Sequence, residues 1–174
     1  MLAGLLVGSI DTVSSAVANI VVEMIKRPQL MQQMRQDRND TERLRGWCWE
    51  ALRLTTFAPL FRQAGDNASL LGKPVPKGTR VVVLRGGAMH DPAAFEHPKL
   101  LNPSRPPDRY LHFGRGIHQC SGRDFNAIQI PELIKALLQY DISGQPQIRT
   151  RGLVPDQLII HLHPRQDSSW AQNS

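Results

Sequence analysis

The chain has 174 residues, enough for one hydrophobic core. Twenty-one Lys+Arg against 15 Asp+Glu give a formal net charge of +6 at pH 7, a balance compatible with nucleic acid, an anionic membrane or an acidic protein partner. The cations are scattered without a basic run and aromatic residues make up only 6%, which argues against a nucleic-acid surface. Residues 2–25 are largely apolar and read as a membrane span, a signal peptide or a buried helix. No basic segment precedes the run, and Asp11 falls at its middle, where a membrane would make a carboxylate costly. A buried helix with a polar notch is therefore expected, with no transmembrane segment. The notch is Gly8-Ser9-Ile10-Asp11-Thr12, in which Gly8 and Thr12 share a face and the Thr12 hydroxyl can bond back to the carbonyl of residue 8.

A second helix is expected over Thr41–Leu54, with Thr41 as N-cap and Leu44, Trp47, Cys48, Ala51 and Leu52 along one face. That setting makes Cys48 a buried thiol, although it and Cys120 could form one disulfide on paper. Glu50 and Arg53 stand three apart, a spacing that permits an ion pair; on the surface such a pair contributes roughly 0.5 kcal/mol or less. Short strands follow at Ala58–Gln63 and Ser69–Leu71, then a turn at Val75–Gly78 and a β-branched strand at Thr79–Leu84. From His90 to Arg109 five prolines predict an irregular but packed meander.

The run Phe113-Gly-Arg-Gly-Ile-His-Gln-Cys-Ser-Gly122 presents Cys120 on a glycine-hinged loop. Glycines at 114, 116 and 122 leave room for a bulky group and permit positive φ. A helix is expected just beyond, so its dipole and unpaired N–H groups favour negative charge at the sulfur. A lone cysteine is usually an inert small hydrophobe, but an open thiolate is also a ligand for a soft metal or a haem iron. The following helix carries Phe125, Ile128, Leu133, Ile134, Leu137 and Leu138, and Pro131 is expected to interrupt it. Strands at Gln147–Thr150 and Gln157–His163 and a disordered tail from Arg165 complete the chain. His161 and His163 share a strand face without acidic or cysteine companions and read as strand residues.

Phe113-x-x-Gly116-x-His118-x-Cys120-x-Gly122 resembles the haem-binding loop of the cytochrome P-450 superfamily, with His118 where that family usually has arginine. Three other elements resemble the family in the same order. Gly8 to Thr12 match its long distal helix, Glu50 and Arg53 its Glu-x-x-Arg motif, and Arg105 the later arginine that pairs with that motif. Arg62 matches the arginine that binds a haem propionate. Asn126, six places after the cysteine, replaces a residue that is usually small. The resemblance covers roughly Leu2–Pro164. It implies a mainly α fold with small β-sheets (α+β), corresponding to the C-terminal part of the cytochrome P-450 fold, with residues 1–164 as that portion and 165–174 as tail.

The function that this resemblance implies is a cytoplasmic haem-thiolate monooxygenase that inserts one atom of O2 into a small organic substrate. Cys120 would be the axial ligand of haem b, bound also through Arg62, Phe113, Gly116, His118 and Gly122. Asp11 and Thr12 would deliver protons, while Glu50, Arg53 and Arg105 hold the cysteine loop from behind. Electrons would come from a ferredoxin, flavodoxin or reductase, with NAD(P)H upstream. Arg109, Arg115 and Arg123 suit an acidic donor. Complete family members are much longer, so two alternatives stay open: a truncated, non-catalytic haem protein, and a haem-thiolate module that rearranges hydroperoxides.

Overall fold

The computed structural model of the chain describes residues 2–55, 60–151 and 154–165, with side chains described for 10–55, 60–117, 119–143 and 157–165. Three helices form the body: α1 (Leu2–Lys26), α3 (Thr41–Leu54) and α5 (Arg123–Leu137), with the short α2 (Pro28–Gln36) between the first two. Pro28 starts α2 at a position where the missing N–H is not needed, and Leu30 and Met34, four apart, turn one face inward. The core lies where α1, α3 and α5 meet. Ile20 and Met24, Leu44, Cys48 and Leu52, and Ile134 and Leu138 are each at most 1% exposed. Each large aliphatic side chain buried in this way contributes roughly 1.5–3 kcal/mol before entropy is counted.

Two boundaries differ from expectation. The N-cap of α3 is Asp40, not Thr41: Asp40 Oδ1 accepts from Arg43 N at 3.0 Å, the reach of an N-cap side chain to the third helical residue. Pro131 does not interrupt α5, which runs through it with Pro131 buried. The helix thus forgoes one N–H donor in its middle and is held by packing at Ile130 and Ile134.

The β-structure consists of three two-stranded antiparallel sheets. Strands β1 (Leu60–Gln63) and β4 (Arg80–Val83) pair with Arg62 opposite Val81, and β2 (Ala68–Leu70) and β3 (Lys73–Val75) form a hairpin between them. Leu71 therefore lies in the hairpin turn rather than in a strand. Its φ of 50° and that of Gly72 at 76° are the paired positive values that a tight two-residue turn needs. Val75 likewise belongs to β3, and the expected turn there narrows to the residues that follow, closing at Gly78 with φ of 86°. A four-residue helix, α4 (Arg85–Ala88), leads into the meander. Beyond α5, β5 (Tyr140–Arg151) and β6 (Val154–Pro164) form a longer hairpin than the sequence suggests, with irregular register between Ser143 and Gln147. Residues 58–59 of the first expected strand, residues 152–153 between β5 and β6, and the tail from 166 lie outside the described residues.

The meander passes directly over α3. A β-carbon at Gly46 would lie 2.0 Å from the carbonyl oxygen of Pro103, so only glycine admits this crossing. Gly46 and Glu50 are four apart on one helix face, and the crossing brings Asn102 and Arg105 onto Glu50.

Candidate functional site around the cysteine loop

Polar side chains lie buried behind the cysteine loop. Glu50 and Arg53 are both fully buried, not the surface pair that their spacing alone suggests. Arg53 Nε and Nη2 donate to the two Glu50 carboxylate oxygens at 3.0 and 2.8 Å, a two-pronged pairing that suits guanidinium geometry. The rest of the guanidinium donates to meander carbonyls, Pro98 at 2.8 Å, Met89 at 3.2 Å and Leu100 at 3.3 Å. Glu50 also accepts from the Tyr110 hydroxyl at 2.7 Å and from Asn102 N at 3.1 Å, and Arg105 Nε approaches it at 3.4 Å. Arg105 itself clamps the meander by donating to the Glu96 carbonyl at 2.7 Å. Phe95 lies within 5.4 Å of the Arg53 guanidinium and 5.7 Å of that of Arg105, close enough for cation–π attraction to both. Burial, with the Glu50 charge beside it, pushes the Tyr110 hydroxyl well above the ordinary phenol range, so it remains a donor.

From this cluster an aromatic chain leads to the cysteine. Tyr110 stacks on His112 with ring centres 5.2 Å apart, and Trp49, next to Glu50 on α3, meets Phe113 edge-on at 5.4 Å. His112 Nε2 donates to the Trp49 carbonyl at 3.0 Å. Burial is the main cause holding the His112 ring down at about 4 from an ordinary 6.5, so at neutral pH it is an uncharged packing group. The Phe113 carbonyl then accepts from Cys120 N at 2.8 Å. Each step links a backbone or ring on α3 to the loop, fixing the loop against the helix. Trp49, Tyr110 and His112 are the parts of this arrangement that the sequence reading missed. Phe113, next to His112, marked the motif, but nothing in the sequence distinguishes a buried imidazole from an exposed one.

In the loop, Gly114 and Gly116 adopt φ of 68° and 70°, which removes any β-carbon clash from those turns. Gly122 differs, with an ordinary φ of −87°; what its missing side chain supplies is room beside Cys120 and Asn126. Cys120 is exposed and Cys48 buried, and neither is in a disulfide. Burial raises the Cys48 thiol far above its usual range, so it stays protonated and inert. His118 ends a short 3₁₀ turn, Gly116–His118, and its side chain lies outside those described.

Arg62 is exposed on β1 and donates to its neighbour's carbonyl, that of Phe61, at 2.8 Å. It also lies near enough to Arg85 for its charge to help lower that guanidinium's proton affinity, after burial as the larger cause. Arg85 donates to the His112 carbonyl at 3.2 Å, so two guanidinium groups flank the approach to the loop. Asp11 and Thr12 are exposed on α1, while the side chains of residues 8 and 9, on which the expected notch depends, lie outside those described. A cavity of about 490 Å³ opens between α3, the loop and the start of α5, lined by Trp49, Tyr110, Phe113 and Gln119 and bordered by Arg45, Arg115 and Arg123. Among the described residues no helix is long and apolar enough to cross a membrane.

This donor set fits a haem iron: an exposed sulfur on an open loop, an aromatic ring packed against that loop, and the Arg62 and Arg85 guanidinium groups close to each other near it. Asn126 Oδ1 is buried without a hydrogen-bond partner, beside the sulfur's loop.

Comparison with known proteins agrees with this chemistry. The sequence matches the family model "Cytochrome P450" over residues 1–147. "Putative cytochrome P450 126" of Mycobacterium tuberculosis is 30% identical over 129 residues, covering 74% of this chain and 30% of that protein. "Bifunctional dioxygenase (DOX)-epoxy alcohol synthase (EAS)" of Fusarium oxysporum is 35% identical over 104 residues, 55% of this chain and 8% of that protein. Among solved structures, CYP108D1 from Novosphingobium aromaticivorans is 29% identical with a TM-score of 0.72, covering 89% of this chain and 39% of that one. CalO2 is 26% identical with a TM-score of 0.74, covering 88% and 40%. The chain thus spans well under half the length of the relatives it matches.

Proposed function

The chain belongs to the cytochrome P450 family, and from that premise we propose that it serves a haem-thiolate monooxygenase in which Cys120 would supply the thiolate that holds the iron. Family membership implies haem with thiolate ligation and oxygenase chemistry of that general kind; the residue roles, electron source and activity of this chain are our reading. The observation that carries it is the contrast between the two cysteines. Cys120 is exposed on a loop with two positive-φ glycines, whereas Cys48 is buried and inert.

Haem, when bound, supplies one-electron redox chemistry and the activation of dioxygen. Cys120 would hold the iron as its thiolate ligand and supply electron density to it, and Phe113, packed edge-on against Trp49, would limit water at the sulfur. Gly116 and Gly122 would leave space for the group, and Arg62 and His118 would pair with its propionates. Asp11 and Thr12, exposed on α1, would hold and pass protons for the activation of dioxygen. Glu50, Arg53 and Arg105 touch neither substrate nor cofactor; they fix the meander and, through Tyr110 and Trp49, the loop. The arginines around the cavity support docking of an acidic electron donor, fed by NAD(P)H. The substrate is a small organic molecule.

The test is the absorption spectrum of the haem-loaded, reduced protein under carbon monoxide. The wild type and Cys48→Ala are expected to show the thiolate-ligated band, and Cys120→Ala to lose it. A Cys120→Ala protein that keeps the band would sink the assignment. A second reading, hydroperoxide rearrangement without external electrons, is favoured by the similarity to the Fusarium dioxygenase–epoxy alcohol synthase. Turnover with NADPH and a reductase supports the first reading, and turnover of a hydroperoxide alone supports the second. The thiolate band with neither activity marks a non-catalytic haem protein.

A further inference from the structure

Asn126 stands one turn into α5, six residues after Cys120, with its backbone N–H bonded to the Gly122 carbonyl at 2.9 Å. Its side chain is 8% exposed, yet Oδ1 is buried with no hydrogen-bond partner. A buried amide oxygen left without a donor costs about 1–3 kcal/mol, so a position with packing as its only task would carry an apolar residue; the N–H edge, not this oxygen, is what lies beside the sulfur. The amide is aimed at the loop. A β-carbon at Gly122 would lie 3.2 Å from Asn126 Nδ2 and 3.7 Å from Cys120 Sγ, so amide and sulfur flank the same space. Gly122 has no backbone need to be glycine, and its missing side chain is what keeps that space open. Amide and sulfur are not hydrogen-bonded here, but the terminal torsion of asparagine is broad and turns at little cost.

We propose that Asn126 is a positioning residue for the ligand: its side-chain N–H donates to the Cys120 sulfur once that sulfur is a metal-bound thiolate. A thiolate can only accept, so the amide presents its N–H edge and not its oxygen. Sharing the sulfur's charge with a donor weakens its push onto the iron and stabilises the reduced state, as hydrogen bonds to ligating sulfur do generally. The inference rests on Cys120 being the ligand.

The experiment compares haem-loaded wild type with Asn126→Ala, Asn126→Leu and Asn126→Gln. Two quantities are read, the ferric/ferrous midpoint potential and the iron–sulfur stretching frequency by resonance Raman. Ala and Leu are both expected to disfavour reduction by about tenfold, about 59 mV for a one-electron couple, and to raise the stretching frequency. Gln, which keeps an N–H donor, is expected to lie between them and the wild type. If Ala and Leu leave both quantities unchanged, or if only the smaller Ala shifts them, Asn126 merely fills space and the inference is overturned. The wild type alone provides a further check, because exchange into D2O should shift its iron–sulfur stretch; an unmoved band overturns the inference even if the variants lose haem. A wild-type protein without the thiolate band defeats the ligand assignment and this inference together. The band with unshifted variants defeats this inference alone.

Discussion

Behind the cysteine loop, α3 and the meander bury a carboxylate and two guanidinium groups, and the hydrogen-bond partners of Glu50 and Arg53 come from within the chain. In front of the loop the surface is of another kind. Phe61 is 71% exposed, Ile117 96%, Phe125 65% and Ile128 64%, and the Arg62 side chain donates to the carbonyl of its neighbour Phe61. The rear is a self-contained support whose geometry is settled by folding. The front offers apolar and cationic groups whose energetic value lies in what they bind. Substitutions in the rear should therefore be read in stability, and those in front in ligation.

The largest effect expected is at Glu50. Removing it leaves the buried Arg53 charge without its counter-ion and Tyr110 without an acceptor, so Glu50→Ala should cost about 3–5 kcal/mol in urea unfolding. Arg53→Ala should cost about as much. The double variant should cost clearly less than the sum, because each single change already breaks the shared pair. A loss under about 1 kcal/mol for Glu50→Ala would show that the rear does not support itself.

His112 gives the rear a pH signature. Below 6.5 the unfolded chain gains a proton that the native ring, held at about 4 chiefly by burial, refuses. The unfolded state then binds more protons, so stability falls as pH drops through this window and is regained as it rises. The span corresponds to about 3 kcal/mol. Unfolding free energies between pH 7.5 and 4.5 should show this slope in the wild type and lack it in His112→Gln. Equal slopes in the two proteins would remove His112 from the account.

The sequence made the α3 span and the motif order legible because both depend on local spacing. Leu44, Cys48 and Leu52 repeat at helical intervals, and the residue types of the loop are written contiguously. Burial of Glu50 and Arg53 was not legible from spacing, since an i, i+3 pair looks the same on a surface. It depends on the meander crossing at Gly46, nearly sixty residues away in sequence from its partner Pro103. The four-residue α4, Arg-Gly-Gly-Ala, has no propensity signal, and it forms where β4 hands over to the packed meander. Pro131 shows the reverse failure: a strong local signal was overridden by the packing of Ile130 and Ile134 on either side.

The smallest effect is expected at the front, where it separates the two regions most cleanly. Phe125 lies in the first turn of α5, and with Ile128 and Leu133 it lines an apolar depression of about 390 Å³. At 65% exposure it keeps only a minor share of the roughly 1.5–3 kcal/mol that full burial of such a side chain supplies. Phe125→Ser should therefore lower stability by at most about 1 kcal/mol, measured by the same urea titration as Glu50→Ala. A loss of 2 kcal/mol or more would mean that this face is packed against something in solution, and the contrast between a finished rear and an open front would fall with it.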